Sequence, residues 1–295
     1  MAVTGASGFL GSHFVTELEK FGANVNSLTK EKTDLLDFDQ TKEALKSTDI
    51  IISCAALDGN AEFKIKHAAG ILDSNMRITS NILNAAKENN VKDIVLISSA
   101  EIYSSYAPNP IKEEDDYRLY GGHTNSGYIL SKRFSEILAG LYKEEFGLKI
   151  YLPRPSNIFG PGDHFDDQST RVIPSFINKI IAGKPIEIWG DGSQTRQFIY
   201  VKDVVHIILT MVEKGTDGKL NISTNESISI LNLAKMISRS LDIKSDIRLD
   251  KTKSIGVQNR ILDTSEMHRL IKFSPVDLDT GLRKTIAWYK EKMEK

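Results

Sequence analysis

The chain has 295 residues, 40% hydrophobic and 26% charged, enough apolar material for a sizeable core and too much for a disordered chain. Lys plus Arg is 38 against 39 for Asp plus Glu, a net charge of -1, so no global basic field draws it to nucleic acid or to an anionic membrane. Cys54 is the single cysteine, which excludes an intrachain disulfide and a cysteine-based zinc site. No apolar run reaches the roughly 18 residues of a membrane span, and the N-terminus leads straight into a structural motif. These features predict a cytoplasmic protein.

The first half alternates short apolar runs with helical patterns. Strands are predicted at 2–4, 25–28, 49–54, 94–98 and 150–152, several of them apolar throughout, as suits strands covered on both faces. Helices are predicted at 12–21, 40–46, 74–89 and 128–146. In the third, Ile78, Ile82, Leu83, Ala85 and Ala86 follow a 3.6-residue period, and Gly147 stops the fourth. The alternation predicts an α/β fold with a Rossmann-type, doubly wound parallel sheet. After residue 153 prolines and glycines cluster, and the texture reads as a smaller, loop-rich region. Helices return at 201–214, 230–241 and 278–292. The expected division is a dinucleotide-binding domain at 1–155 and a mainly substrate-binding region at 156–295, with interleaved elements.

Thr4-Gly5-Ala6-Ser7-Gly8-Phe9-Leu10-Gly11 lies between the first strand and the first helix. Its glycines are spaced for a tight turn, close approach of backbone to a pyrophosphate, and close helix–strand packing, while the helix N-terminus offers N–H groups and partial positive charge. The cofactor-binding candidates here are Gly5, Ser7, Gly8, Phe9, Leu10 and Gly11. An acidic residue about 20 positions on would select the ribose hydroxyl of NAD. The second strand instead ends in Ser27, Thr29 and Lys30, with Glu31 flanked by lysines, which leans toward the 2′-phosphate of NADP over NAD.

Tyr128 and Lys132 stand at i and i+4, on one face of a helix. A free tyrosine has a pKa of about 10, and a nearby ammonium together with an oxidised nicotinamide favours its phenolate. Ser98 and Ser99 fall at the C-terminal edge of the fourth strand, where a hydroxyl is needed to hold a substrate oxygen.

In these motifs the chain resembles the extended short-chain dehydrogenase/reductase family, in the NAD-dependent epimerase/dehydratase branch acting on nucleotide sugars. The resemblance runs through Thr4 to Gly11, Ser98 to Tyr103, Tyr128 with Lys132, Arg154 to Gly162, Gly190 to Gly192, Arg196 to Val204, Arg260, Asp263 to Ser265, and Trp288-Tyr289. It implies Tyr128 as the acid/base on the sugar C4 oxygen, Lys132 on the nicotinamide ribose, and Ser99 polarising the oxygen. It implies Asp34 and Leu35 near the adenine and Ala55 and Ala56 beside the cofactor. Asn157, Arg196 and Arg260 are implied as ligands of a substrate diphosphate, for which forked guanidinium hydrogen bonds suit.

A further likeness to the GDP-fucose synthase branch covers Asp34 to Asp37, Gly160 to Phe165 and Ser169 to Pro174. That branch epimerises with a cysteine and a histidine, whose positions here hold Glu101 and Arg171. Arginine is not deprotonated in proteins, so this pair does not support double epimerisation. Glu101 stands where the family's dehydratases and decarboxylases carry glutamate. Arg171 and Val172 are assigned to the substrate side. The expected activity is NAD(P)-dependent hydride chemistry at C4 of a nucleotide-activated sugar, with epimerase/dehydratase cycling placed ahead of a net 4-keto-sugar reductase and ahead of a non-catalytic cofactor-binding protein. A homodimer is expected, through helices beginning near Tyr128 and Ser74. No metal is expected.

Overall fold

The computed structural model describes residues 1–59, 61–120, 124–165, 171–253 and 255–294. In chain order the elements are β1 (Ala2–Thr4), α1 (Phe9–Lys20), β2 (Asn26–Leu28), α2 (Phe38–Ala44), β3 (Ile50–Ser53), α3 (Ala61–Lys66), α4 (Ala68–Glu88), β4 (Asp93–Leu96), a 3-10 turn (Ala100–Ile102), α5 (Tyr117–Tyr120), α6 (Gly127–Phe146), β5 (Lys149–Pro155) and β6 (Asn157–Phe159). There follow α7 (Val172–Ile181), β7 (Ile186–Trp189), β8 (Thr195–Arg196), β9 (Phe198–Tyr200), α8 (Val201–Glu213), β10 (Gly218–Ile222), β11 (Ile228–Ser229), α9 (Ile230–Leu241), β12 (Ile247–Asp250), β13 (Asn259–Arg260), α10 (Ser265–Leu270) and α11 (Leu278–Met293). The chain divides into two interleaved compact units. The first comprises 1–102, 122–154 and 205–220, the second 103–121, 155–204 and 221–295.

The first unit is built on a six-stranded sheet in the order β10-β5-β4-β3-β1-β2. Pairings β1–β2, β1–β3, β3–β4 and β4–β5 are all parallel. Ile51 and Ile52 of β3 and the Ile94-Val95 step of β4 are buried because helices cover both faces. Leu45, Ile82, Leu83, Ala86 and Ala139 pack from those helices onto the sheet core. Burial of each large aliphatic side chain contributes roughly 1.5–3 kcal/mol. Strand order reverses between β1 and β3, and that switch point is where doubly wound sheets receive ligands. The glycine-rich turn after β1 and the Cys54-Ala55-Ala56 segment after β3 both emerge there.

The second unit has its own apolar core, formed by Phe159, Ile177, Phe198, Leu233, Ile237, Leu282 and their neighbours. Around it run a three-stranded sheet in the order β11-β8-β13 and the two-stranded pairs β12–β7 and β6–β9.

The expected strands and helices occur with shifted ends. Helix α4 begins six residues before the predicted start at Ser74, and β5 extends from the predicted 150–152 to Lys149–Pro155. Helix α7 was hidden by the proline and glycine texture. Its Pro174 falls in the first turn, where a missing N–H costs nothing because those amides have no partner within the helix.

Candidate active site

In the first unit, the turn after β1 is held so tightly that only glycine fits. Gly5 has φ +63°, and a Cβ on it would lie 2.9 Å from the Ala55 nitrogen. On Gly11 a Cβ would meet the Gly5 carbonyl oxygen at 2.1 Å. The turn is stitched to its neighbours by Ala6 N–H donating to the Leu28 carbonyl (3.2 Å) and Ala55 N–H donating to the Thr4 hydroxyl (3.2 Å). Gly8 caps α1, whose first turn, Phe9, Leu10 and Gly11, carries no acidic residue. The amides of a first turn have no carbonyl of their own helix to bond, so this bare, positively poled end suits a pyrophosphate. Ser7 is exposed on the turn, and the Cys54–Ala55 backbone, which leads on to Ala56, passes beside Gly5. These residues fit a dinucleotide.

Beyond β2 the chain makes a helical turn, with the Thr29 carbonyl accepting from the amides of Lys32 and Thr33. Lys30 is exposed on it. The Asp34 carboxylate accepts from Leu36 N–H, and the Leu35 and Leu36 carbonyls accept from Asn81 and Arg77 of α4. The Asp34–Leu35 segment is therefore anchored by a helix rather than left as a free loop.

Helix α6 carries Tyr128 and Lys132. Ser126 caps its N-terminus by accepting from Ile129 N–H. Gly127 lets the helix approach α4 closely, since a Cβ there would sit 1.9 Å from the Ala68 carbonyl oxygen. The Lys132 ammonium donates to the Ile97 carbonyl at 2.6 Å and lies 5.7 Å from the Tyr128 ring centroid. Burial holds its pKa below the ordinary lysine value, opposed by the negative charge of Asp58 and by Cys54 and Glu136. Burial also pushes the Cys54 thiol up to about 12, so it is protonated at neutral pH. Ser99 lies two residues past Ile97, and its hydroxyl accepts from Glu101 N–H at 3.1 Å. Glu101 sits half-buried in the 3-10 turn rather than in a strand.

Two features of this unit were not read from the sequence. Glu136, one turn beyond Lys132, forms a buried bidentate pair with Arg154 (Nε–Oε1 2.9 Å, Nη2–Oε2 2.5 Å) and also accepts from Ser98 at 2.5 Å. Arg154 is fully buried. Asn75 of α4 accepts from Leu57 N–H (2.6 Å) and donates to the Leu57 carbonyl and the Ser131 hydroxyl. The Ser131 hydroxyl in turn donates to the Tyr128 carbonyl at 2.8 Å. The signal for Glu136 was its spacing, four residues after Lys132. Arg154 stood in a recognised motif without a role.

In the second unit, Arg196 and Arg260 are 64 positions apart in the chain, yet the parallel β8–β13 register makes them direct neighbours on one face. The Arg196 guanidinium donates to the carbonyls of Thr195 (2.7 Å) and Val257 (2.8 Å). Buried Gln197 crosslinks the region, accepting from Leu262 N–H and donating to the Thr224 carbonyl, while its own carbonyl accepts from exposed Asn157 (2.8 Å). Arg171 caps α7 and pairs with buried Asp163 at 2.9 Å. Burial raises the Asp163 carboxyl above the usual range, against the pull of Arg171. Val172 packs against the second core rather than standing free.

A glycine cradle at the switch point of a doubly wound sheet, with a Tyr–Lys pair on the helix tied to β4, defines a Rossmann-type enzyme that uses a nicotinamide dinucleotide. The chain belongs to the NAD dependent epimerase/dehydratase family, whose model matches residues 1–224. It is 43% identical to a dTDP-4-dehydro-6-deoxy-D-allose reductase of Streptomyces sp, over 98% of this chain and 95% of that protein. It is 25% identical to the GDP-L-fucose synthase of Escherichia coli (strain K12), over 99% of this chain and 97% of that protein, in keeping with the likeness read from Asp34 to Asp37 and Gly160 to Phe165. Among solved structures, the UDP-N-acetylglucosamine 4-epimerase from Methanobrevibacter ruminantium M1, in complex with UDP-N-acetylmuramic acid, superimposes with a TM-score of 0.88. It is 26% identical, and the match covers 99% of this chain and 98% of that one. No helix among the described residues is long and apolar enough to cross a membrane.

Proposed function

We propose that the protein reduces the C4 ketone of a nucleotide-activated 4-keto sugar, using NADPH or NADH. The observation that carries this reading is Tyr128 on a helix whose next turn, Lys132, is tied 2.6 Å to the Ile97 carbonyl, two residues before Ser99. That tie fixes the Lys132 ammonium and the helix that carries Tyr128 to the chain just past β4, two residues before Ser99, and so supports a shared site. The 43% identity to a dTDP-4-dehydro-6-deoxy-D-allose reductase supports net reduction and a thymidine nucleotide as the first substrates to try. Epimerase/dehydratase cycling is the second reading, favoured by Glu101 in the turn after β4.

The bound dinucleotide supplies the hydride. Ser99 donates a hydrogen bond to the C4 oxygen and aligns it. Tyr128 delivers a proton to that oxygen as negative charge develops, and Lys132 favours the phenolate that remains. Arg196 and Arg260 bind the substrate diphosphate with forked hydrogen bonds, Asn157 adds an amide, and Arg171 with Val172 extends the substrate side. The Thr29–Lys32 turn, with Lys30 exposed, leans the cofactor choice toward NADP. Ile137 and Leu141, exposed one turn apart on α6, support a homodimer through this helix.

The test is incubation with dTDP-, GDP- and UDP-4-keto sugars and each reduced cofactor, following absorbance at 340 nm and product identity. Stoichiometric consumption of cofactor supports the reductase. Interconversion of C4 epimers with catalytic cofactor would transfer the case to the cycling reading.

A further inference from the structure

The β3–α3 segment brings a second ammonium to the Tyr128 ring. Lys64 of α3 stands over the ring with its Nζ 4.3 Å from the centroid, closer than Lys132 at 5.7 Å. It is held there by an ion pair with Asp58 at 2.9 Å, and its side chain is only 22% exposed. Asp58 is itself braced, since its carboxylate accepts from Gly59 N–H. The neighbouring loop is fixed through Leu57, clamped by Asn75, which also reaches Ser131 on the Tyr128 helix.

We propose that Lys64 is a positioning residue that tunes Tyr128, its ammonium favouring the electron-rich ionised ring over the neutral phenol. The inference rests on Tyr128 being the acid/base of the proposed reaction. A cation over an aromatic face is attracted by the ring quadrupole, and the attraction grows when the ring carries negative charge and water is excluded. Among the described residues, Lys64 from α3 and Lys132 from α6 face the Tyr128 ring, Asp58 from the loop after β3 pairs with Lys64, and Asp58, Glu136 and the Cys54 thiol act on Lys132. Asp58 partly offsets both ammonium groups, so Lys64 adds to the effect of Lys132 without replacing it. The two lysines differ in geometry. Lys132 shares the Tyr128 helix and is fixed to the Ile97 carbonyl just past β4, whereas Lys64 approaches the ring face from a separate short helix.

The test is an optical titration of phenolate absorbance near 295 nm on the full-length protein, with the Tyr128→Phe variant subtracted to isolate this one ring. Lys64→Met keeps the length and apolar stem of the side chain while removing the charge. Its Tyr128 titration is expected to move upward by roughly half to one pH unit, a preference of the ammonium for phenolate over phenol of about 0.7–1.4 kcal/mol. Lys64→Arg restores a cation over the ring and is expected to return the midpoint to within about 0.2 unit of the parent. Coincident midpoints in the parent and Lys64→Met overturn the proposal. So does an equal shift in Lys64→Met and Lys64→Arg, which would mark a packing effect rather than a charge effect. Because the titration uses no sugar, failure to find turnover would remove the proposed reaction and leave this electrostatic coupling measurable. A null titration would remove Lys64 and leave the reaction standing.

Discussion

Replacing Arg154 with Met removes the guanidinium from a deeply buried ion pair of the first unit. Arg154 has no exposed side-chain surface and Glu136 has 3%. The substitution deletes the two charge-assisted hydrogen bonds to Glu136, each contributing about 1.5–3 kcal/mol, and leaves the Glu136 carboxylate, among the described residues, with the Ser98 hydroxyl. Breaking one side of such a pair destabilises by about 3–5 kcal/mol, and the hydrogen-bond sum, about 3–6 kcal/mol, overlaps that range. The assay is equilibrium urea unfolding of the parent, Arg154→Met, Glu136→Leu and the double variant. The double variant is expected to recover most of the loss, because two apolar side chains of similar volume pack without stranding a charge. Catalysis should not recover with it. Glu136 sits one turn beyond Lys132, and its partner Ser98 adjoins Ser99, so the pair fixes the Tyr128 helix against the end of β4. A single-variant loss below about 1 kcal/mol, or a double variant as unstable as the sum of the singles, would refute this reasoning.

Other outcomes follow from the same geometry. Gly11→Ala drives a Cβ to 2.1 Å from the Gly5 carbonyl oxygen, and fluorescence titration should find reduced-cofactor Kd raised about tenfold or more. Arg260→Lys keeps the charge but loses the fork. It should raise KM for the nucleotide sugar about tenfold with kcat within about threefold, as expected for uniform binding. For Lys132, burial lowers the folded-state pKa below the ordinary 10.5. The unfolded state therefore binds more protons between the lowered value and 10.5, and stability rises with pH across that window. Below it the full burial penalty is present. The stability advantage of Lys132→Met over the parent should be largest at neutral pH and shrink toward pH 10.5. An advantage that is flat with pH would contradict this.

What the sequence revealed was local. The glycine turn, the apolar runs of β3 and β4, and the Tyr128–Lys132 spacing each encode their geometry within a few residues, so they were legible. The start of α4 was not, because His67-Ala68-Ala69-Gly70 carries no apolar period and its first turn is set by packing against α6 at Gly127. Helix α7 was masked by Pro174, whose place in the first turn is permissive only once the start of the helix is known. The pairing of Arg196 with Arg260 depends on strand register across 64 positions, and the Arg154–Glu136 pair on the crossing of β5 and α6. Neither register nor crossing is written in spacing. The place of Lys64 over the Tyr128 ring likewise depends on how α3 is carried, which no local spacing encodes.

The central claim is that Tyr128 moves the proton at the sugar C4 oxygen. The most direct measurement is single-turnover hydride transfer at 340 nm, with cofactor affinity measured in parallel, for the parent and Tyr128→Phe. Loss of a general acid predicts a rate lower by about 10²–10⁴ with reduced-cofactor affinity essentially unchanged. A Tyr128→Phe rate within a few-fold of the parent would contradict the account.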